Sequence, residues 1–229
     1  MSDKTRMLAA IRRGLGRDAL DASVAAGLVT RLERPEPNRL PAASRGDRLT
    51  LLRRFAAKLR RVDATLQVLP RLDGVPEAVA AWAEDAAAVR VAPHPDLQRL
   101  DWSAAGLEAS FGPARGMDTL GVSRADAGIA ESGTLALCSG PASPTTLNFL
   151  PDRHAVVLHA DAVVGAYETV WAALRETGSE GCFMPRTVNW VTGPSRTADI
   201  EQTLYLGIHG PRQLHVLLVG SGLEGLETG

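Results

Sequence analysis

A repeated alternation of strand-like and helix-like runs, which begins near residue 62, constrains the fold of this 229-residue chain more than any other feature. Short apolar and β-branched runs are typical of buried strands, and the segments between them have helical periodicity. Strands that alternate with crossover helices predict an α/β fold with an open, mainly parallel sheet and helices on both faces. The predicted strands cover residues 65–69, 88–92, 154–159, 188–192 and 214–219, and the predicted helices cover residues 76–85, 162–175 and 197–206.

The segment before the first predicted strand, residues 1–61, is predicted to form a helical extension of an α/β domain at residues 62–229. Apolar residues recur there at helical spacing, and a proline-rich loop at 34–41 interrupts the pattern. Asp47 is the predicted N-cap of the next helix. Its arginines and lysine form either a docking surface for an acidic partner or an ordinary solvated face. The residues that this helix is expected to bury are Leu52, Phe55, Ala56 and Leu59.

The overall composition and the missing motifs exclude several classes of function. A formal net charge of −1 gives no general attraction to nucleic acid or to an anionic membrane, so any partner has to be recognised by a local site. We see no signal peptide and no apolar run near the ~18 residues of a membrane span, and we therefore expect a cytoplasmic protein. Walker A, GxSxG and HExxH motifs and a glycine-rich dinucleotide fingerprint do not occur in the sequence.

The cysteines and histidines do not predict a cofactor. Cys138 and Cys182 lie far apart, belong to no CxxC pair and cannot supply the usual four thiolates of an iron–sulfur cluster. His154 and His159 are five residues apart on a predicted strand, so their side chains point to opposite faces and cannot share a metal ion. We expect two ordinary thiols, no metal site and no cofactor.

A first candidate site lies at residues 126–137, where two short apolar runs flank the triplet Glu131, Ser132 and Gly133. This pattern predicts a tight turn between strand-like pieces, in which the glycine permits a positive φ and close approach of a ligand. Glu131 sits between apolar neighbours, where a carboxylate is either paired or shifted in pKa. The alternative is a plain hairpin whose glutamate faces water.

A second candidate site follows the strand at 188–192 and is predicted to open the helix at 197–206. A strand-to-helix turn presents free amide groups and the positive end of a helix dipole at the carboxyl edge of a sheet. Ser195 or Thr197 can cap this helix, and Arg196 can bind a carboxylate or phosphate with two hydrogen bonds. Asp199 and Glu201 would position Arg196, contact a partner or stabilise the first helical turn.

Three segments together resemble the lactate-utilisation protein C family, which carries the LUD domain. The segments are GIAESGT at 128–134, GPSRTADIE at 193–201 and LGIHGPR at 206–212. The resemblance implies an open α/β fold shared with ribose-5-phosphate isomerase, glucosamine-6-phosphate deaminase and CoA transferases. It also implies a role in bacterial oxidation of L-lactate to pyruvate, beside two partner proteins of which at least one carries iron–sulfur clusters. The family more often has threonine at the position of Ser132.

The leading interpretation of the sequence is an accessory, cluster-free subunit that binds a small carboxylate or phosphate. Arg196 and two backbone amides would hold the anion, and the first candidate site would form the opposite wall, because loops at the carboxyl ends of parallel strands converge on one crevice. One alternative is a CoA-transferase-like enzyme with Glu131 as nucleophile, and another is a sugar-phosphate site. The predicted ligand-binding residues are Glu131, Ser132, Gly133, Thr134, Gly193, Pro194, Ser195, Arg196, Thr197, Asp199, Glu201 and His209.

Overall fold

A computed structural model describes residues 2–16, 19–36, 39–83, 85–177, 184–200, 203–223 and 225–226 of the chain. Its contacts divide the chain into two compact units, Met1–Arg39 and Leu40–Gly229. The smaller unit consists of helices α1 (Asp3–Gly14) and α2 (Ala22–Glu33), whose N-caps are Ser2 and Asp21. The predicted domain boundary lay at residue 61, whereas the helix that follows Asp47 is part of the larger unit.

The larger unit contains the following elements in chain order. They are α3 (Arg48–Arg60), β1 (Thr65–Leu69), α4 (Val75–Trp82), β2 (Ala88–Val91), α5 (Pro95–Gln98), β3 (Glu108–Phe111), β4 (Leu120–Arg124), β5 (Ala127–Ile129), β6 (Thr134–Cys138), β7 (Arg153–His159), β8 (Val163–Val164), α6 (Tyr167–Thr177), β9 (Val188–Val191), β10 (Arg196–Ile200), β11 (Thr203–Leu206) and β12 (Gln213–Val219). Within the described residues, the helices are all too short or too polar to cross a membrane.

Six of these strands form one sheet in the order β1-β12-β7-β4-β2-β3, and all neighbouring pairs are parallel. This confirms the predicted fold class. The chain leaves β2 towards β3 on one side, and it leaves β4 towards β7 on the other side. The topological switch point of the sheet therefore lies between β2 and β4.

The central strands of this sheet are buried on both faces, which explains their nearly continuous apolar sequences. Along β7, Ala155 and Val157 pack into the core on the α4 side, whereas Val156 and Leu158 pack into the core on the α3 side, and all four are fully buried. Helix α3 begins at the predicted cap, because the Asp47 carboxylate accepts a hydrogen bond from the Thr50 amide at 2.7 Å. The four residues predicted to be buried on α3 are all buried.

A second, four-stranded sheet lies beside α3 and has the order β8-β5-β6-β9. Strand β6 is antiparallel to both β5 and β9. Helix α6 packs on this sheet through Val170, and Trp190 of β9 makes edge-on ring contacts with Tyr167 and Trp171 at 4.9 and 5.2 Å. One face of the parallel sheet is thus covered by α4 and α5, and the other is covered by α3 together with a small sheet that the sequence did not predict.

The predicted helix at 197–206 is wrong, because this segment contains the antiparallel pair β10–β11, in which Thr197 is opposite Tyr205 and Ile200 is opposite Thr203. β-Branched and aromatic residues favour strands, and this preference outweighs the four-residue spacing that suggested a helix. The predicted helix at 162–175 starts later, at Tyr167. Strand 188–192 is present but belongs to the second sheet. Elements α2, β3 and β4 were not predicted.

Candidate functional site

The first candidate site is the hairpin turn between β5 and β6, as the sequence predicted. Gly133 has a φ of +74° and lies against the end of α3. A Cβ atom on this residue would come within 2.8 Å of the Lys58 Cβ and 2.9 Å of the Leu59 backbone nitrogen. Glycine is therefore required here both by the backbone conformation and by the close approach of a helix.

Four hydroxyl groups form a connected cluster beside this turn. The Thr134 Oγ1 lies 2.7 Å from the Tyr167 hydroxyl and 2.6 Å from the Thr192 Oγ1. The Ser132 Oγ lies 2.8 Å from the Thr134 Oγ1 and 2.9 Å from the Tyr167 hydroxyl. Because Thr192 directly precedes Gly193, the two candidate segments meet at the Thr134–Thr192 contact. Tyr167 and Thr192 were not predicted as site residues, although Thr192 adjoins the second motif.

Glu131 lies at the tip of the same turn and is half-buried. Its backbone amide donates to the Gly165 carbonyl at 3.2 Å. Its Oε2 atom is shielded from solvent and has no hydrogen-bond partner among the described residues. A buried carboxylate oxygen without a partner is costly, so this oxygen marks Glu131 as a candidate for ligand contact.

The second candidate segment is held by backbone contacts to neighbouring loops. Gly193 has a φ of +78°, and a Cβ there would come within 2.5 Å of the Val62 carbonyl oxygen. The Ser195 amide donates to the Pro211 carbonyl at 2.8 Å, and its Oγ accepts from the His209 amide at 3.3 Å. The turn around Ser195 and the turn around His209 are thereby joined, whereas the His209 ring is exposed.

Arg196 points to the start of β1 rather than towards Glu131. Its guanidinium donates to the Val62 carbonyl at 2.8 Å and pairs with the carboxylate of Asp63. It lines a cavity of about 190 Å³, together with Pro194 and Arg212. Further lining residues are Thr65 and Gln213, which begin β1 and β12, and Trp82.

The expected position of this site at the carboxyl edge of the parallel sheet is therefore wrong. Thr65 and Gln213 place the cavity at the amino ends of their strands. The reason is that β9 joins the second sheet, and the chain after it is then tied to Pro211, just before β12 begins. An anion site at a helix N-terminus is also ruled out, because Thr197 lies in a strand. Asp199 lies in β10, and Glu201 lies outside the described residues.

A buried histidine supports the wall of this cavity. The His215 Nδ1 lies 2.7 Å from the Thr65 Oγ1, and its ring stacks on Trp82 with centroids 4.9 Å apart. Burial lowers the pKa of His215 to about 4, so the ring is neutral at pH 7. The Thr65 hydroxyl that lines the cavity is thereby oriented by a neutral imidazole.

The cysteine predictions can be followed for one residue. The pKa of the Cys138 thiol is raised to about 12. Burial is the larger cause, and the neighbouring Asp126 carboxylate is the second. This thiol therefore stays protonated and is a poor nucleophile at neutral pH. Cys182 lies outside the described residues.

The parallel sheet, the flanking second sheet and the two adjoining motifs define an α/β protein of a fold that a solved structure shares. A DUF162 family protein from Deinococcus radiodurans superposes with a TM-score of 0.58 over 77% of this chain and 100% of that chain, at 22% sequence identity. Residues 114–219, which include both motifs, match the family model of the LUD domain. The chain is therefore assigned a LUD domain over these residues.

Curated relatives from bacteria support this assignment. The chain is 34% identical to lactate utilization protein C of a Geobacillus species (strain WCH70) over 100 residues, which are 44% of this chain and 42% of the relative. It is 29% identical to lactate utilization protein C of an Exiguobacterium species over 203 residues, which are 81% of this chain and 84% of the relative. The chain thus spans less than half the length of the Geobacillus relative.

Proposed function

We propose that the chain is a cytoplasmic, cluster-free component of a bacterial system that oxidises L-lactate to pyruvate, acting beside iron–sulfur partner proteins. The names of the similar proteins from Geobacillus and Exiguobacterium support the role in lactate utilisation. Within that system the chain binds a small carboxylate or phosphate as an accessory subunit.

The main support for this proposal is the cavity at the amino ends of β1 and β12. Arg196 and Arg212 line it together with Asp63. Arg196 is engaged by Asp63, whereas the Arg212 guanidinium makes no hydrogen bond or ion pair with a described residue and is available for an anion. Guanidinium groups bind carboxylate and phosphate with two parallel hydrogen bonds.

The size and lining of the cavity favour a small ligand. Its volume of about 190 Å³ is below the ~300–1,000 Å³ of pockets that take drug-sized molecules. The Thr65 hydroxyl and the Gln213 amide supply uncharged polar groups, and Trp82 and Pro194 supply an apolar wall. A carboxylate with a short apolar tail satisfies both parts of this lining.

A thermal-shift screen tests the anion site directly. L-lactate, pyruvate, phosphate, sugar phosphates and CoA thioesters are added to the protein and to the Arg212→Gln and Arg196→Ala variants. A ligand at 100 times its Kd stabilises a folded protein by about 2.7 kcal/mol, so a clear rise in Tm is expected with small anions. Arg71→Gln, which removes an exposed arginine paired with Asp73 at 2.5 Å, is the matched control. An equal shift in Arg212→Gln and in the control would contradict the proposed site.

Reconstitution tests the role in lactate oxidation. The iron–sulfur partners are assayed for L-lactate-dependent dye reduction with and without this chain. We expect a lower rate without it and an intermediate rate with Arg212→Gln. An undiminished rate in the absence of the chain would refute its participation.

The buried oxygen of Glu131 favours a second candidate function, a CoA-transferase-like activity. In that reaction the Glu131 carboxylate attacks a thioester carbonyl, a glutamyl acyl anhydride forms, and the CoA thiolate leaves. Glu131→Gln would abolish acyl exchange between CoA and a carboxylate, whereas Glu108→Gln on β3 would not. Exchange at an unchanged rate in Glu131→Gln would eliminate this activity.

A further inference from the structure

The carboxyl edge of the parallel sheet holds a cluster of titratable side chains that neither motif includes. His94 and Asp96 follow β2, Arg124 is the last residue of β4, and His159 is the last residue of β7. The switch point between β2 and β4 therefore lies inside the cluster. In open α/β sheets, ligands bind outside the carboxyl ends of the strands at such a switch point.

The Asp96 carboxylate lies at the centre of the cluster. Its Oδ2 is 3.1 Å from the Arg124 Nε, 3.6 Å from the His159 Nε2 and 3.8 Å from the His94 Nδ1. A second guanidinium, from Arg99, lies 3.6 Å from the Oδ1. The side chains of Asp96 and Arg124 are about a quarter exposed, so the cluster is partly desolvated and still open to a ligand.

The cluster contains polar atoms whose hydrogen-bonding capacity is not used. The Arg124 Nε and the His159 Nε2 are shielded from solvent and make no hydrogen bond with a described residue. The Nε of Arg124 is close enough to Asp96 for an ion pair, but its N–H is not aligned for a hydrogen bond. Buried donors and acceptors without partners are rare in native proteins, and they often mark sites where a ligand or water binds.

One of the histidines has a defined tautomer. The Asp96 backbone amide donates to the His94 Nδ1 at 3.1 Å, so that nitrogen carries no proton and the Nε2 of the neutral ring is a donor. Burial, followed by the positive charge of Arg124, lowers the pKa of His94. The ring is therefore neutral at pH 7 and offers an N–H to a ligand oxygen.

The fixed charges of the cluster are balanced. Arg99 and Arg124 face Asp96 and the nearby Asp126, whose carboxylate also accepts from the Cys138 amide at 2.7 Å. A phosphate dianion carries two negative charges, gains no net attraction there and is repelled by the carboxylates. A ligand with one carboxylate and one hydroxyl fits better, because the hydroxyl can donate to Asp96 while the carboxylate accepts from Arg124.

We propose that His94, Asp96, Arg124 and His159 form a second binding site, which takes a small hydroxycarboxylate at the switch point of the sheet. Arg124 binds the ligand carboxylate, and the His94 Nε2–H donates a hydrogen bond to the ligand hydroxyl oxygen. The Asp96 carboxylate accepts a hydrogen bond from the same hydroxyl group. This site lies at the opposite ends of the strands from the Arg196–Arg212 cavity and does not depend on it.

The experiment is isothermal titration of the whole protein with L-lactate, propionate and inorganic phosphate. Propionate differs from lactate only by the missing hydroxyl. We expect lactate to bind, propionate to bind at least about tenfold more weakly, and phosphate not to bind at this site, since one charge-assisted hydrogen bond is worth about a tenfold change in Kd. Arg124→Gln should weaken lactate binding at this site by at least about tenfold, and Arg212→Gln should leave binding at this site unchanged. The control Arg153→Gln, which removes the ion pair with Asp85 at the other end of β7, should leave the Kd unchanged.

A second readout keeps the proposal testable if Arg124→Gln does not fold. The Nε2–H resonance of His94 in a ¹H–¹⁵N spectrum should shift on addition of lactate and not of propionate, and Arg212→Gln should preserve this shift. Lactate binding that survives in Arg124→Gln but is lost in Arg212→Gln would overturn this inference and leave the proposed anion cavity intact. The reverse pattern would support the switch-point site and refute the cavity. An unmoved His94 resonance at saturating lactate would also overturn the inference.

Discussion

The two ends of the parallel sheet hold histidines in contrasting environments. His154 and His215 lie near the amino ends of their strands and are buried. Each lies 2.7 Å from a hydroxyl group on a neighbouring strand, Ser123 for His154 and Thr65 for His215. Burial alone lowers the pKa of each ring to about 4.

At the carboxyl edge, His94 and His159 are partly exposed and lie around the carboxylate of Asp96. The imidazole ring is the same in both regions, but only the edge histidines can reach a ligand. Burial and neighbouring charge, rather than residue type, therefore separate a histidine that fills a sheet from one that can serve a site.

Acidification should cause the largest loss of stability, and it should act through the buried histidines His154 and His215. The folded-state pKa of about 4 lies below the unfolded-state value of about 6.5, so the unfolded chain binds more protons between these pH values. Stability is therefore fully present above about pH 6.5 and is lost as the pH falls towards 4, by about 3 kcal/mol for each histidine. Urea unfolding at a series of pH values measures this loss.

Two variants test whether His154 contributes to this pH dependence of stability. His154→Gln should reduce the slope of unfolding free energy against pH by about one proton between pH 6.5 and 4. His209→Gln, at an exposed turn, is the control and should leave the slope unchanged. An unaltered slope in His154→Gln would show that burial of this ring does not control acid unfolding.

Removal of the ring that covers His215 should make this histidine resemble the edge histidines. Trp82→Leu opens a stacked contact whose planes are 12° apart, so water reaches the imidazole and its pKa rises towards the ordinary value. The free energy of unfolding should fall by about 1–2 kcal/mol. NMR titration of His215 and urea unfolding measure the two effects. Trp171→Leu, which removes a ring contact with Trp190 in the second sheet, should destabilise the protein without moving the His215 titration.

Asp96→Asn should have the smallest effect on stability, but it should change the pKa of His94 at the carboxyl edge of the sheet. The ion pairs of Asp96 are partly exposed, so their loss should lower the free energy of unfolding by less than about 1 kcal/mol. The pKa of His94 should fall further, because the carboxylate that favours its charged form is gone. An NMR titration in which the His94 pKa rises or stays constant would contradict the central place given to Asp96.

Local sequence signals predicted the regular core well. Helix α3 starts at Asp47 and buries the four predicted residues, because capping and apolar spacing act within one turn of the same helix. The strand predicted at 214–219 is Gln213–Val219, and it lies between β1 and β7 in the sheet. Its nearly continuous apolar sequence is typical of a strand that is buried on both faces of a parallel sheet.

Local signals failed where pairing between distant segments decides the structure. The segment after Gly193 carries spacing compatible with a helix, yet Thr197 pairs with Tyr205 in a hairpin. For the same reason the expected meeting of the two motifs was only partly correct. Thr134 contacts Thr192, but Arg196 is drawn away to Asp63 at the start of β1.

Local sequence was sufficient to predict the α/β class, the buried strands, the capped helix and the glycine turn at Gly133, because each depends on residues close together in the chain. Which loops share an edge of the sheet depends instead on the order of the strands. His94, Arg124 and His159 are separated by at least 30 residues from one another, and no local pattern relates them. They come together because strand order and the switch point place the ends of β2, β4 and β7 side by side.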